Sequence, residues 1–159
     1  MTDHAAKPTA ASPATPATPT STANKPLPVI TDLTRPFWTA ARNGQLVLQK
    51  CQRCATFNFH PKAWCIECGS LELEWTAAQA FGTVYSMTIS RSVAMNFQGW
   101  AAELPVLMCL IDLDDGARMY GQVTHCAPEA LHIGMRVQAW FEAISDEAGI
   151  PKFRPIEGG

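Results

Sequence analysis

Cys51-Gln-Arg-Cys54 and Cys65-Ile-Glu-Cys68, with ten residues between them, decide how this chain is read. Two such knuckles can turn four thiolates toward one tetrahedral metal, each sulfur about 2.3 Å from a zinc ion. The spacing predicts a rubredoxin-like zinc ribbon. The same quartet also suits iron in such a cage, or a redox dithiol. A cage closed by four thiolates keeps no open coordination position, so Zn2+ is read as structural and not as a Lewis acid. Lys50, Arg53 and Lys62 bring positive charge to the same segment.

Upstream of the first knuckle, residues 31–44 read as a short helix. Asp32 or Thr34 can cap it, Pro36 suits its first turn, Gly44 stops it, and Phe37, Trp38 and Ala41 form its buried side. Residues 45–50 then read as a strand that delivers Cys51. Between the knuckles, Phe57, Phe59 and Trp64 are more apolar surface than so small a module can bury, so some of them are expected on the helix or on a partner.

Downstream, Leu71, Leu73 and Trp75 alternate with Glu72 and Glu74, as the return strand of a ribbon would. Residues 81–90 form a half-buried strand, with Phe81, Thr83, Tyr85, Met87 and Ile89 on one face. The apolar run 106–111 reads as a central strand. Asp114-Asp115-Gly116 is a hairpin turn before a strand at 118–123. Residues 128–131 suit one helical turn, Gly134 precedes an alternating strand that carries Val137, Ala139 and Phe141 on one face, and 150–156 closes the set. Five short strands with a brief helix before the fourth are the pattern of an OB-fold barrel. The expected fold is therefore mainly β: residues 1–28 a tail, 29–77 helix and zinc ribbon, 78–159 a five-stranded OB-fold domain.

Composition sets the outer bounds. The 159 residues are 47% hydrophobic, enough for one core but not for two large ones. The first 28 hold six prolines, six threonines and seven alanines and no aromatic residue. Such a segment buries too little apolar area to offset its ordering entropy and reads as disordered. It has no apolar stretch of the secretory kind, and nothing in the chain approaches a membrane span. Thiols in CxxC pairs without an export signal place the chain in a reducing cytoplasm. From Phe81 onward five basic residues face nine acidic ones, a net of minus four. That balance opposes a nucleic-acid partner, although a nucleic-acid or oligosaccharide-binding ribbon and barrel module is the alternative reading.

His60 lies between the knuckles, but four cysteines already satisfy the metal. Cys109 sits inside an apolar run. Cys126 follows His125, and neighbours on a strand point to opposite faces and share a proton poorly. His132 has no acidic partner in sequence. No residue is assigned a catalytic role. The connection 91–104, which holds Arg91, Met95, Phe97 and Trp100, is long and rich in large apolar groups, as suits either a contact surface or a loop folded onto its own barrel.

Phe37-Trp38, the segment leading into Cys51, the four cysteines, Leu73-Glu-Trp75, Gly82-Thr-Val-Tyr85, Ile133-Gly-Met-Arg-Val137 and Phe153-Arg-Pro155 together resemble the DUF35 family over roughly residues 32–155. The chain departs from the family at Ala55, where a glycine is usual, and at His60-Pro61, where two prolines are. The resemblance implies a zinc-ribbon and OB-fold accessory subunit that docks on a thiolase-fold protein. It further implies help in forming an acyl-CoA or acyl-transfer site, a CoA thioester being bound jointly with a partner that carries the catalytic groups of an acyltransferase, thiolase or aldolase complex; in that setting Arg91, Met95, Phe97 and Trp100 are expected to contact the partner or an acyl chain, with Arg91 available to a phosphate of CoA.

Overall fold

The computed structural model describes residues 25–92 and 95–156, the backbone alone over 95–98. Helix α1 (Arg35–Arg42) precedes strands β1 (Val47–Cys51), β2 (Phe57–Asn58) and β3 (Leu73–Ala77), which form an antiparallel sheet in the order β2-β1-β3. Strands β4 (Phe81–Ser90), β5 (Val106–Leu113), β6 (Arg118–Val123), β7 (Arg136–Ala143) and β8 (Gly149–Pro155) close a barrel in the order β4-β5-β6-β8-β7, with β4 returning to β7. Its pairs are antiparallel except β6 with β8, which meet parallel at Val123 and Phe153. This is the OB-fold expected, mainly β and joined to a ribbon.

Helix α1 is shorter than the sequence suggested. Pro36 lies in its first turn, and Thr34 holds the N-cap position without making a side-chain cap. Instead Thr34 Oγ1 accepts from the Thr31 N–H at 3.0 Å and Thr31 Oγ1 accepts from the Thr34 N–H at 3.3 Å, a reciprocal pair ahead of the helix that replaces the expected cap. At the other end Gly44 takes a φ of 75°, and the Gln45 N–H donates to Ala40 O at 2.9 Å. A left-handed glycine there ends the helix cleanly.

One core unites the helix, the ribbon and the barrel. Phe37, Leu46 and Leu48 belong to the same buried cluster as Val84, Ile111, Met119, Val137 and Phe153; Phe57 and Phe59 pack against that cluster, and of the aromatics expected on the helix Phe59 is there, its ring 5.9 Å from that of Phe37. Two glycines allow the fit. A Cβ at Gly121 would stand 2.4 Å from the Phe153 ring, and one at Gly149 would stand 2.6 Å from the Ala41 backbone, so α1 rests directly on the start of β8.

Strand β4 is not a single-parity strand. Gly82 and Val84 are buried, Tyr85 is exposed, and the register with β5 slips between Val84 and Ser86, after which Ile89 pairs with Leu107 and packs on the core. A β-bulge at Tyr85 thus exchanges which parity faces inward, so Phe81 and Tyr85 turn outward although they share Ile89's parity. In β5, Leu107, Cys109, Ile111 and Leu113 are buried while Val106, Met108 and Leu110 are half-buried on the outer side. Two connections differ from expectation. Residues 95–103 form a 3-10 helix within the predicted loop, and 128–130 form a turn rather than helix.

Candidate metal centre

The knuckles meet where β1 ends. Sγ of Cys51, Cys54, Cys65 and Cys68 all lie within 4.8 Å of one another, with Cys51 to Cys68 at 3.6 Å and Cys54 to Cys65 at 3.5 Å. Bonds of about 2.3 Å in a zinc tetrahedron set sulfurs about 3.8 Å apart. The observed spacing fits that cage, and it is far longer than the roughly 2.05 Å of a disulfide. These residues would hold zinc with every position filled, a group that supplies folding energy rather than a reaction.

Both knuckles use the same turn. The Ala55 N–H donates to Cys51 O at 2.9 Å and the Gly69 N–H to Cys65 O at 3.0 Å, with φ of 61° at Ala55 and 71° at Gly69. Ala55 therefore adopts the glycine conformation despite its Cβ. The thiols differ in acidity. Hydrogen bonds from the Thr56 hydroxyl and backbone N–H pull Cys54 down to about 6, and N–H groups of Cys68 and Glu67 lower Cys65. At Cys68 the Ser70 N–H also lowers the value, but burial and the three neighbouring thiols outweigh it and push the thiol up to about 12.

Asn58 was not visible as a site residue in the sequence. Fully buried in β2, it donates from Nδ2 to Thr56 O at 3.2 Å, reaches Cys65 Sγ at 4.0 Å, and accepts from the Ile66 N–H at 2.9 Å through Oδ1. It ties one knuckle to the other. Gln49, also buried, accepts from the Lys62 N–H at 2.7 Å and holds the intervening loop. The only signal for either was a polar residue at an inward position of a short strand.

The remaining candidates are scattered. His60 stacks on Phe59 at 4.2 Å between ring centroids and stays apart from the sulfur cluster; burial and then Lys62 push it below its usual range. Burial raises Cys109 to about 11 and raises Cys126 as well. His125 sits in a bend beyond β6, not on a strand, at a φ of 55°, and its Nδ1 lies 3.1 Å from Thr124 Oγ1 while Cys126 Sγ donates to Ala127 O. The two side chains do not pair. His132 is exposed, with Nδ1 2.9 Å from Ala130 O. Arg91 is exposed just past β4, and Trp100 is half-buried. The Met95 and Phe97 side chains fall outside the described residues, as do residues 1–24 of the expected tail. Around the second knuckle Trp64, Ile66 and Leu71 are 57%, 59% and 77% exposed.

Beside the barrel lies an ionic cluster the sequence did not announce. Lys152 Nζ is 2.8 Å from Glu103 Oε2 and 2.5 Å from Glu142 Oε2, and Lys25 pairs with Glu103 and lies 3.2 Å from Glu142. Lys152 and Glu142 are almost wholly buried, and Trp100 lies under both ammonium groups, 4.6 Å from Lys25 and 5.7 Å from Lys152. Although burial alone would raise Glu103, hydrogen bonds from Lys152, Lys25 and Gln122 bring its carboxyl down to about 2. Two cations and two anions cancel in charge, although Glu142 Oε2 faces Lys152 as an ion pair without an aligned hydrogen bond.

Comparison with known proteins adds the family context. A model of the ChsH2 rubredoxin-like zinc ribbon domain matches residues 38–74, and one of the ChsH2 C-terminal OB-fold domain matches 75–142. A DUF35 domain-containing scaffold protein of Methanocaldococcus jannaschii is 32% identical over 119 residues, covering 70% of this chain and 82% of the relative. A probable enoyl-CoA hydratase alpha subunit of Thermomonospora curvata is 34% identical over 121 residues, 75% of this chain; the match spans 36% of that subunit, about a third of its length. Among solved structures, the Ltp2-ChsH2(DUF35) aldolase superposes with a TM-score of 0.69 at 29% identity, covering 81% of this chain and 98% of that one. A DUF35-family protein of unknown function from Sulfolobus solfataricus shares the fold, with a TM-score of 0.52 at 15% identity over 79% of this chain and 86% of its own.

Proposed function

Because this chain belongs to the DUF35 family of zinc-ribbon and OB-fold scaffold proteins, we propose that it is the accessory subunit of a cytoplasmic acyl-CoA complex. It docks on a thiolase-fold partner and helps to form an acyl-CoA or acyl-transfer site, the reacting groups belonging mainly to that partner. The observation that carries this reading is the likeness to the ChsH2 chain of an aldolase assembled from Ltp2 and ChsH2, which this chain matches over nearly all of that chain's length. The residues agree with such a role. The four-thiolate cage is saturated, and the thiols outside it, Cys109 and Cys126, are shifted away from the reactive thiolate form.

Trp64, Ile66 and Leu71 give the ribbon an apolar tip of the kind that marks a protein interface. On the barrel side Arg91, Met95, Phe97 and Trp100 are the residues assigned to the partner and its ligand, with the exposed Arg91 guanidinium suited to a CoA phosphate. Co-expression with a thiolase-like protein encoded beside it is the test. The reading predicts a stable hetero-oligomer, retained in a pull-down and weakened by Phe97→Ser with Trp100→Ser, and no enzymatic turnover of acyl-CoA thioesters by the lone chain. Thioester cleavage at an enzymatic rate by the isolated protein would refute it.

A further inference from the structure

Two hollows on one side of the molecule run into each other. The first, about 440 Å³, lies outside β5 and β6 against Trp100 and Met108; the second, about 250 Å³, lies where α1 meets the ribbon against Trp38 and Phe59. Tyr120, Ile150 and Pro151 line both, which makes them one furrow floored by aromatic and aliphatic groups. No Asp, Glu, Lys or Arg among the described residues lines it, and His60 at its ribbon end is biased toward its neutral form. The described chain begins at this furrow's rim, where Lys25 is held by Glu103 and Glu142 over the ring of Trp100, itself a wall of the furrow.

Upstream of Lys25 the sequence reads Pro13-Ala-Thr-Pro16-Ala-Thr-Pro19, inside a stretch from Pro8 to Asn24 that carries no charged residue. A proline every third residue matches the three-residue turn of a polyproline II helix, which lines the rings along one edge at intervals of about 9 Å. Furrows lined by aromatic rings are recurrent receptors for such segments. Pro19 is six residues from Lys25, a reach of about 20 Å at most, so the segment can lie on its own furrow without strain. Tethering also raises its local concentration to about the millimolar range, above that of a free competitor.

We propose that the furrow between α1 and the outer face of β5 and β6 is the receptor for this chain's own segment 13–19, bound in extended polyproline II form across Tyr120 and Trp100. The inference concerns the free protein and stands whether or not a second polypeptide later displaces the segment. Nuclear Overhauser contacts in the full-length protein provide the test. Contacts are expected from the ring protons of Pro13, Pro16 and Pro19 to those of Tyr120 and Trp100. They should vanish in the Pro13→Ser, Pro16→Ser, Pro19→Ser triple variant and in Tyr120→Ala, with barrel amide shifts away from the furrow unchanged. Contacts seen only between labelled and unlabelled molecules in a mixed sample would make the occupant a second copy and overturn the proposal. So would their absence in the unaltered chain.

Discussion

The two knuckles of the ribbon share a backbone and differ in almost everything else. Each ends in a left-handed residue whose N–H returns to the carbonyl of the knuckle's first cysteine, yet that residue is Ala55 in one and Gly69 in the other. The first knuckle grows out of the buried strand β1, whereas the second stands among the exposed Trp64, Ile66 and Leu71. Metal geometry demands the turn from both. The first can hold an alanine in it because β1 is fixed in the core, while the second relies on glycine and on Asn58 for its shape.

That contrast can be broken at several levels. The largest effect is expected from Cys51→Ser or Cys68→Ser: either should abolish bound zinc in elemental analysis and remove amide protection across the whole ribbon, several kcal/mol in each case, because the cage fails as a unit. A variant that kept its metal and protection would show that one knuckle suffices.

Acid should separate the ribbon from the ionic cluster. Thiols ordinarily titrate near 9.0, and even Cys54 reaches only about 6, so protons compete with zinc as pH falls through the mildly acidic range. Glu103 lies below its ordinary 4.5 at about 2; the stability from its pairs is present above 4.5 and is lost only as pH falls through 2. Zinc release monitored beside the Trp100 environment should therefore come first, and simultaneous loss would contradict the order.

Asn58→Ala should cost about 1–3 kcal/mol, since it leaves the Ile66 N–H without its acceptor, while Thr56 O keeps the Cys51 N–H. Hydrogen exchange should quicken at Ile66 and not at Ala55. The smallest effects sharpen the contrast most. Gly69→Ala should cost about 1–2 kcal/mol, from backbone strain alone because a Cβ there meets nothing within 4 Å. Ala55→Gly should gain less than about 1 kcal/mol, the relief being offset by the freedom glycine adds to the unfolded chain. Thermal midpoints of the two variants moving in the same direction would show that the turns are not equivalent.

Local patterns were legible and distant meetings were not. The alternation in 81–90 and the turn Asp114-Asp115-Gly116 placed β4 and β6 at their observed bounds, and the cysteine spacing located the metal centre. The bulge at Tyr85 escaped because one inserted residue reverses inward and outward without changing the composition of the strand. The cluster of Lys25, Glu103, Glu142 and Lys152 escaped for another reason. Its members come from four separate segments, and only the closure of the barrel and the course of the N-terminal stretch bring them together.

Closure has one more consequence. With β4 sealed to β7 the barrel closes, but its seam between β6 and β8 is the single pair Val123 with Phe153, which leaves residues 118–122 of β6 laddered to β5 alone. Unladdered edges also lie at the rims of the small sheet, on the two-residue β2 and on β3. A visiting polypeptide that seeks main-chain ladders therefore meets them along Leu73–Ala77 and along the β8 side of β6, where Tyr120, Gly121 and Gln122 also line the larger hollow.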